Sequence, residues 1–167
     1  MTYKVDSTNV DVDRILDYAS DKWTQGKTQG TSKTRQSDVV RTEESWIYDI
    51  VKSVHIPWGF KLSSIEPVQI TRYAESDYYD YHIDGDGVTP IKAQGTIYHG
   101  KTRKVSMSIL LNDDFRGGEF EFYPNIKLMP KTGDAIIFPS YILHRVAPVT
   151  RGTRYSLVAW MIGDPCV

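Results

Sequence analysis

His82 and Asp84 stand two residues apart in the stretch YYDYHID, residues 78–84. An imidazole nitrogen and a carboxylate oxygen are both ligands for a divalent metal. Extended backbone sends successive side chains to opposite faces, so residues two apart project together. In a strand this pair would share one metal. Such pairs also arise by chance, and a third ligand from another strand is needed to give this one chemical meaning. Of the four histidines, His55 closes an amphipathic helix and His99 lies in a long loop, and both read as structural. His144 sits in the apolar strand YILHRVAPV, where a satisfied core histidine is the default reading. Ten residues further on, Arg154 lies in RYSLVAWM, and alternation puts Arg154, Ser156, Val158 and Trp160 on one face. A guanidinium on a buried face is costly without an anion. Its fork suits a carboxylate, supplied either by an internal Asp or Glu or by a ligand.

These residues need elements to position them. A first helix is expected over about Val10 to Trp23, with Ile15, Leu16, Ala19 and Trp23 on one face and Asn9 as its cap. A second opens at TEES, with Thr42 as N-cap and Glu43 and Glu44 in the first turn, where negative charge suits the helix dipole. Its apolar stripe is Trp46, Ile47, Ile50, Val51 and Val54, and Pro57 and Gly59 end it. Trp23 and Trp46 read as core anchors. From Ile65 onward the texture is strands and turns: 66–73, 79–84, 103–111, 118–123, 133–138, 141–147 and 153–162. The polar segment 24–37 reads as a long loop, and so does 85–102, whose length suggests function. Helices followed by about seven strands predict an α+β chain, mainly β, built on a sandwich or barrel.

Bulk properties narrow the class. The 167 residues carry a formal charge of −1 and suit one domain. No overall basic excess points to nucleic acid, and the local run HGKTRK reads as a solvated loop. The single cysteine, Cys166, excludes an internal disulfide and a cysteine zinc site. With no signal-peptide h-region and no long apolar run, the expectation is a soluble, cytoplasmic protein without a membrane partner. The oligomeric state is not legible.

Two histidines and one carboxylate with open positions make the facial triad of non-haem Fe(II) oxygenases. The order HxD, distant His, then Arg ten residues on is far more specific than any part of it. Here the chain resembles the 2-oxoglutarate/Fe(II)-dependent dioxygenases, and within them the prolyl 4-hydroxylase-like group. RYAESDYYDYHIDG resembles the family's Tyr-x8-His-x-Asp segment, SILLNDDFRGGEFEF its Gly-Gly-Glu hairpin, and KTGDAIIFPSYILHRVAPVTRGTRYSLVAWM the segment with the distal histidine and the oxoacid-binding cation.

The resemblance implies a double-stranded β-helix (jelly roll) core over about 65–163, supported by N-terminal helices in about 1–60, as one domain over 1–167. It implies Fe(II) on His82, Asp84 and His144, 2-oxoglutarate held by Arg154 with Tyr73 lining its pocket, and O2 as co-substrate, with ascorbate as reductant. On the strand KVSMSILLN, where some relatives have an oxoacid-binding tyrosine, Ser108 takes that place. Tyr79 and Trp160 match substrate-proline contacts, and Arg103 lies near a peptide-contacting arginine. Tyr79 is an odd number of residues from His82, so it faces the metal only if a bulge interrupts YYDYH; otherwise Tyr78 is inward. The implied activity is hydroxylation of an unactivated C–H, foremost a prolyl residue in a peptide or protein, with loop 85–102 as a lid. A small-molecule oxygenase, a silent jelly-roll binding module and a zinc hydrolase are the competing readings.

Overall fold

Period-two alternation organises the central strands. Along 105–109 the residues Val105, Met107 and Ile109 join one apolar cluster, with Leu157, Ala159 and Met161 from a neighbouring strand. The intervening Ser106 and Ser108, like Ser156, Val158 and Trp160, face a cavity instead. One side of each strand therefore builds core and the other builds a site.

The structure, a computed structural model, describes residues 1–26 and 34–166. It opens with β1 (Lys4–Ser7), α1 (Val12–Ala19), β2 (Thr24–Gln25), β3 (Arg35–Gln36), β4 (Asp38–Thr42) and α2 (Ser45–Lys52). There follow β5 (Ser64–Ile65), β6 (Val68–Tyr73), β7 (Tyr78–His82), β8 (Thr102–Leu110) and β9 (Arg116–Gly117). The last elements are β10 (Phe120–Phe122), β11 (Ile126–Leu128), β12 (Asp134–Pro139), β13 (His144–Val146), β14 (Val149–Arg151) and β15 (Arg154–Gly163).

The larger sheet runs β1-β12-β8-β15-β6-β4-β2, with β5 also on β15, and the smaller runs β11-β10-β13-β7-β3. Every pairing is antiparallel. Tyr73, Phe120, Phe122, Ile136, Phe138, Val146 and Val149 form a core with contributions from both sheets. Ile15, Ala19, Ile47 and Val51 of the two helices join the cluster on the other face of the larger sheet. This is the expected jelly roll with supporting helices.

Several boundaries differ from the sequence reading. The first helix begins at Val12, because Asp11 rather than Asn9 caps it: its carboxylate accepts the Arg14 N–H at 3.1 Å. The helix stops at Ala19, short of Trp23, which packs on Tyr155. Thr42 is no helix cap. It ends β4, and its hydroxyl accepts the Glu44 N–H at 3.2 Å, so Glu44 becomes the N-cap and both glutamates precede the first turn. The N-terminal third is not simply helical, since β1 pairs with β12 and β4 with β6. Within the expected loop 24–37, β2 and β3 add to the two sheets; residues 27–33 lie outside the described residues. The basic run HGKTRK is only half a loop, since Thr102, Arg103 and Lys104 open β8. The expected strand 141–147 shortens to His144–Val146, preceded by a turn whose Ile142 N–H donates to the Pro139 carbonyl. No helix among the described residues is long and apolar enough to cross a membrane.

Candidate metal centre and its cavity

His82 ends β7 and His144 begins β13, and the two are directly paired across the smaller sheet. Each ring is fixed in the same way. The His82 Nδ1–H donates to the Asp80 carbonyl at 2.7 Å, and the His144 Nδ1–H to the Ile142 carbonyl at 2.8 Å. That sets the tautomer and leaves both Nε2 lone pairs pointing into the site. Phe120 stacks on His144 at 5.4 Å and Phe138 packs edge-on at 4.6 Å, which restricts ring rotation.

Asp84 reaches the histidines by a different route from simple strand alternation. β7 ends at His82, and Asp84 lies beyond it, where its N–H donates to the Ser140 carbonyl at 2.9 Å. Its carboxylate accepts from Ser106 Oγ at 2.7 Å, and Ser106 in turn meets Ser140 Oγ at 2.9 Å. Asp84 Oδ1 is 3.3 Å from His82 Nε2, and Oδ2 is 3.5 Å from His144 Nε2. All three ligand atoms fall within 4.8 Å of one another. Adjacent ligands at ordinary bond lengths around one metal are about 3 Å apart, so the donor set needs little adjustment to close on an ion. Burial opposes ionisation of Asp84. The neighbouring imidazoles of His144 and His82 and the Ser106 hydroxyl outweigh it and hold the carboxyl well below its ordinary range. Burial lowers the pKa of His144 and favours the neutral imidazole. Deprotonated carboxylate and neutral imidazole are the forms that bind metal.

The three ligands open into a cavity of about 440 Å³, counting its mouth, walled by both sheets. Tyr73, Ser108, Tyr79 and Trp160 line it. Arg154, 2% exposed, lies on β15 behind this wall, in register with the lining residue Tyr73. Its Nη1 donates to Ser156 Oγ at 3.1 Å, and Ser156 faces the cavity and meets Thr71 Oγ1 at 2.6 Å. Arg154 Nε has no hydrogen-bond partner, and no described carboxylate pairs with the guanidinium. The internal Asp or Glu that would have given Arg154 a purely structural role is absent among the described residues. Burial lowers its pKa, partly opposed by Tyr73, and the fork is left able to receive an anion. Gly118 (φ +64°) makes room for it, since a Cβ there would stand 3.0 Å from Arg154 Cδ.

A bulge brings Tyr79 inward. His144 pairs with His82 and Val146 with Tyr79, so two steps along β13 match three along β7. The extra residue reverses the alternation, and the Tyr79 ring stacks on His82 with centroids 3.5 Å apart. Burial, with help from Asp84, pushes its hydroxyl up to about 12, so it remains a donor. Opposite, the buried Trp160 carries an unpartnered Nε1–H. Arg103 lies 3.8 Å over its indole, but its fork is engaged by Glu66, so its charge is already paired. Ser108 lines the cavity, while Ser106, on the same face, positions the Asp84 carboxylate. His55 and His99 are exposed and outside the cluster. Residues 85–102 fold on themselves: Asp86 accepts from Val88 N–H, Thr89 N–H and Thr89 Oγ1, and Gly87 O accepts from Lys104 Nζ and the Cys166 N–H.

Sequence reasoning passed over Ser106, Ser140 and Arg35. Ser106 was legible as a face-mate of Ser108. Ser140 and Arg35 come from a turn and an edge strand that carry no periodic signal.

A jelly roll whose cavity holds one His-x-Asp pair and one distal histidine defines a mononuclear metal protein of the facial-triad class. Comparison with known proteins is specific on this point. Residues 68–162 match the 2OG-Fe(II) oxygenase superfamily, and the chain belongs to that superfamily. It is 35% identical over 100 residues to a PKHD-type hydroxylase of Xylella fastidiosa, covering 57% of this chain and 44% of the relative. The chain thus spans less than half of that relative's length. In fold it matches a prolyl hydroxylase from Trichoplax adhaerens, in complex with a hypoxia inducible factor oxygen degradation domain peptide fragment (TM-score 0.72, 17% identity, 96% of this chain and 83% of that one). It also matches a viral collagen prolyl hydroxylase from Paramecium bursaria Chlorella virus-1 in a 2OG complex (TM-score 0.67, 18% identity, 98% and 97%).

Proposed function

We propose that this chain is a 2-oxoglutarate- and Fe(II)-dependent oxygenase that hydroxylates a prolyl residue in a peptide or protein. One observation carries the reading: a three-ligand site shares one cavity with Tyr79 and Trp160, and a buried arginine with no described internal carboxylate stands directly behind Ser156 of its wall. Iron with 2-oxoglutarate supplies, when bound, the oxidising power that places one oxygen atom of O2 in a C–H bond while the oxoacid becomes succinate and carbon dioxide. The protein contributes geometry and dryness.

His82, Asp84 and His144 hold the iron, and Ser106 fixes the orientation of Asp84. Arg154 receives the far carboxylate of the oxoacid, seated between Tyr73 and Ser156. The apolar walls, Phe120, Phe138, Val146 and Val158, keep bulk water away from the reacting centre. Tyr79 and Trp160 offer ring faces to a pyrrolidine, and the Trp160 Nε1–H is free to donate to a peptide carbonyl. Residues 85–102 act as a cover over a bound peptide. The relatives named as prolyl hydroxylases, one with a peptide bound, support this substrate class.

Two measurements test the reading. Anaerobic addition of Fe(II) and 2-oxoglutarate is expected to produce a weak visible charge-transfer band, absent from His144→Ala and Asp84→Ala. With air, a proline-rich peptide is expected to gain one oxygen by mass spectrometry, with one succinate formed per turnover. A missing band removes the oxygenase reading. A band with turnover of a free amino acid but of no peptide moves the substrate to a small molecule.

A further inference from the structure

The cavity wall holds a second arginine that the metal and oxoacid chemistry leaves unused. Arg35 sits on β3, in register with Tyr79 of β7. It is 9% exposed and lines the cavity beside Tyr79 and His82. Its guanidinium lies 4.8 Å from the centre of the Tyr79 ring. Its Nε donates to Ser37 Oγ at 2.6 Å, and among the described residues no carboxylate pairs with it. Gly26 packs against this arrangement; a Cβ there would approach Ser37 Oγ to 2.9 Å and Arg35 Nε to 3.1 Å. Residues 27–33 contain two lysines and no Asp or Glu, so they offer no anion either.

The acids nearby are committed elsewhere. Glu66 pairs with Arg103 and Asp38 with Arg72. Arg41, exposed on β4, adds further positive charge nearby: partial burial lowers its pKa, and so do the charges of Arg103 and Arg35, against Glu66. With its amide oxygen turned towards Arg41, Gln69 on the cavity wall accepts from both Nη atoms at 3.1 and 3.2 Å. Arg35 is thus a buried positive charge on the cavity wall that no described acid neutralises. A buried, stacked guanidinium of that kind is costly unless an anion arrives to meet it.

We infer that Arg35 is a specificity residue that receives an acidic side chain of the substrate peptide, two or three residues from the one hydroxylated. The spacing follows from the stack. Arg35 lies 4.8 Å from Tyr79, and Tyr79 lies 3.5 Å from the iron ligand His82. Extended peptide covers such a span in two or three residues at about 3.4 Å each. The inference rests on the peptide reading above and narrows it to acidic sequence contexts.

The test uses end-capped, fluorescently labelled peptides with a central proline and either Glu or Gln two and three residues away on each side. Binding is read by anisotropy, without turnover, and KM and kcat are read separately by succinate release. Wild type is expected to bind the best Glu peptide about tenfold more tightly than its Gln partner, as for one charge-assisted pair. The difference is expected in KM and not in kcat. Arg35→Gln should abolish the preference, Arg35→Lys should keep part of it, and Arg35→Glu should turn it towards lysine-bearing peptides. Equal binding of Glu and Gln peptides by wild type, or a preference that survives Arg35→Gln, overturns the inference. The same pairs with alanine for proline separate it from the prolyl reading. An Arg35-dependent Glu preference in the alanine series upholds Arg35 even if proline is never hydroxylated. Hydroxylation of Glu and Gln peptides alike overturns Arg35 and leaves the prolyl reading standing. Arg35-dependent turnover of free proline, without a Glu preference in peptides, assigns the carboxylate to the substrate backbone and overturns the side-chain assignment.

Discussion

A buried cation has to be neutralised by something, and Arg154 is neutralised by no described residue. Ser156 and the Tyr73 face hold it in place without cancelling its charge. Arg154→Ala is therefore expected to raise the 2-oxoglutarate concentration needed for half-saturation by about tenfold or more, the equivalent of about 1.5–3 kcal/mol for a charged hydrogen bond. Metal binding should change little, because the guanidinium contacts none of the three ligands. Titration with 2-oxoglutarate and with Mn(II) measures the two separately, and equal loss of both would give Arg154 a structural role instead. This residue was legible in the sequence. It falls ten residues after a histidine in a strand whose alternation puts it on the site face. His82 and His144 were legible for the same reason. Arg35 was not, because a two-residue strand in a polar segment has no period to read. Asp84 was identified as a ligand through an argument that the structure replaces: it lies past the end of β7, and Ser140 and Ser106 aim it.

Between residues and fold lie the irregularities that aim side chains. The bulge between β7 and β13 makes a strand that would have shown Tyr78 to the cavity show Tyr79 instead. The sequence revealed that a bulge was required but not whether it formed, since bulges depend on the partner strand's register. The short strands β1, β4 and β5 escaped notice because segments of two to five residues gain their pairing from neighbours already in place. The hairpin at Gly117 and Gly118 is a second such device. Both glycines have positive φ, and Gly118 also faces Arg154. Gly118→Ala places a methyl 3.0 Å from Arg154 Cδ, in a conformation that alanine rarely adopts. Displacement of Arg154 should follow. The expected result is a higher half-saturating 2-oxoglutarate concentration with Mn(II) affinity retained, together with a loss of about 1–3 kcal/mol in stability. Retained oxoacid affinity in a destabilised variant would show that Arg154 does not depend on this turn.

At the scale of the molecule, the larger sheet separates two bodies of apolar packing. The helices bury Ile15, Ala19, Ile47 and Val51 against one face, and the aromatic group around Phe120, Phe122 and Phe138 fills the space behind the metal ligands. Stability and site geometry should therefore respond differently to cavities on the two sides. Ile47 is fully buried in the helix-side cluster. Ile47→Ala should cost about 2–5 kcal/mol. At about 2–4 °C per kcal/mol for a chain of this size, the melting temperature falls while each folded molecule keeps its metal affinity. Phe138 packs against His144 at 4.6 Å. Phe138→Ala should destabilise by about 3–5 kcal/mol and also loosen the His144 ring, weakening metal binding by about ten- to a hundredfold, as lost outer support of a ligand does. The measurement is the upward shift of the melting temperature with saturating Mn(II), which depends on binding to the folded state alone. Ile47→Ala should show the wild-type shift from a lower starting point. Phe138→Ala should show a smaller one. Equal shifts in both variants would mean that the aromatic core stabilises the fold without orienting the ligand.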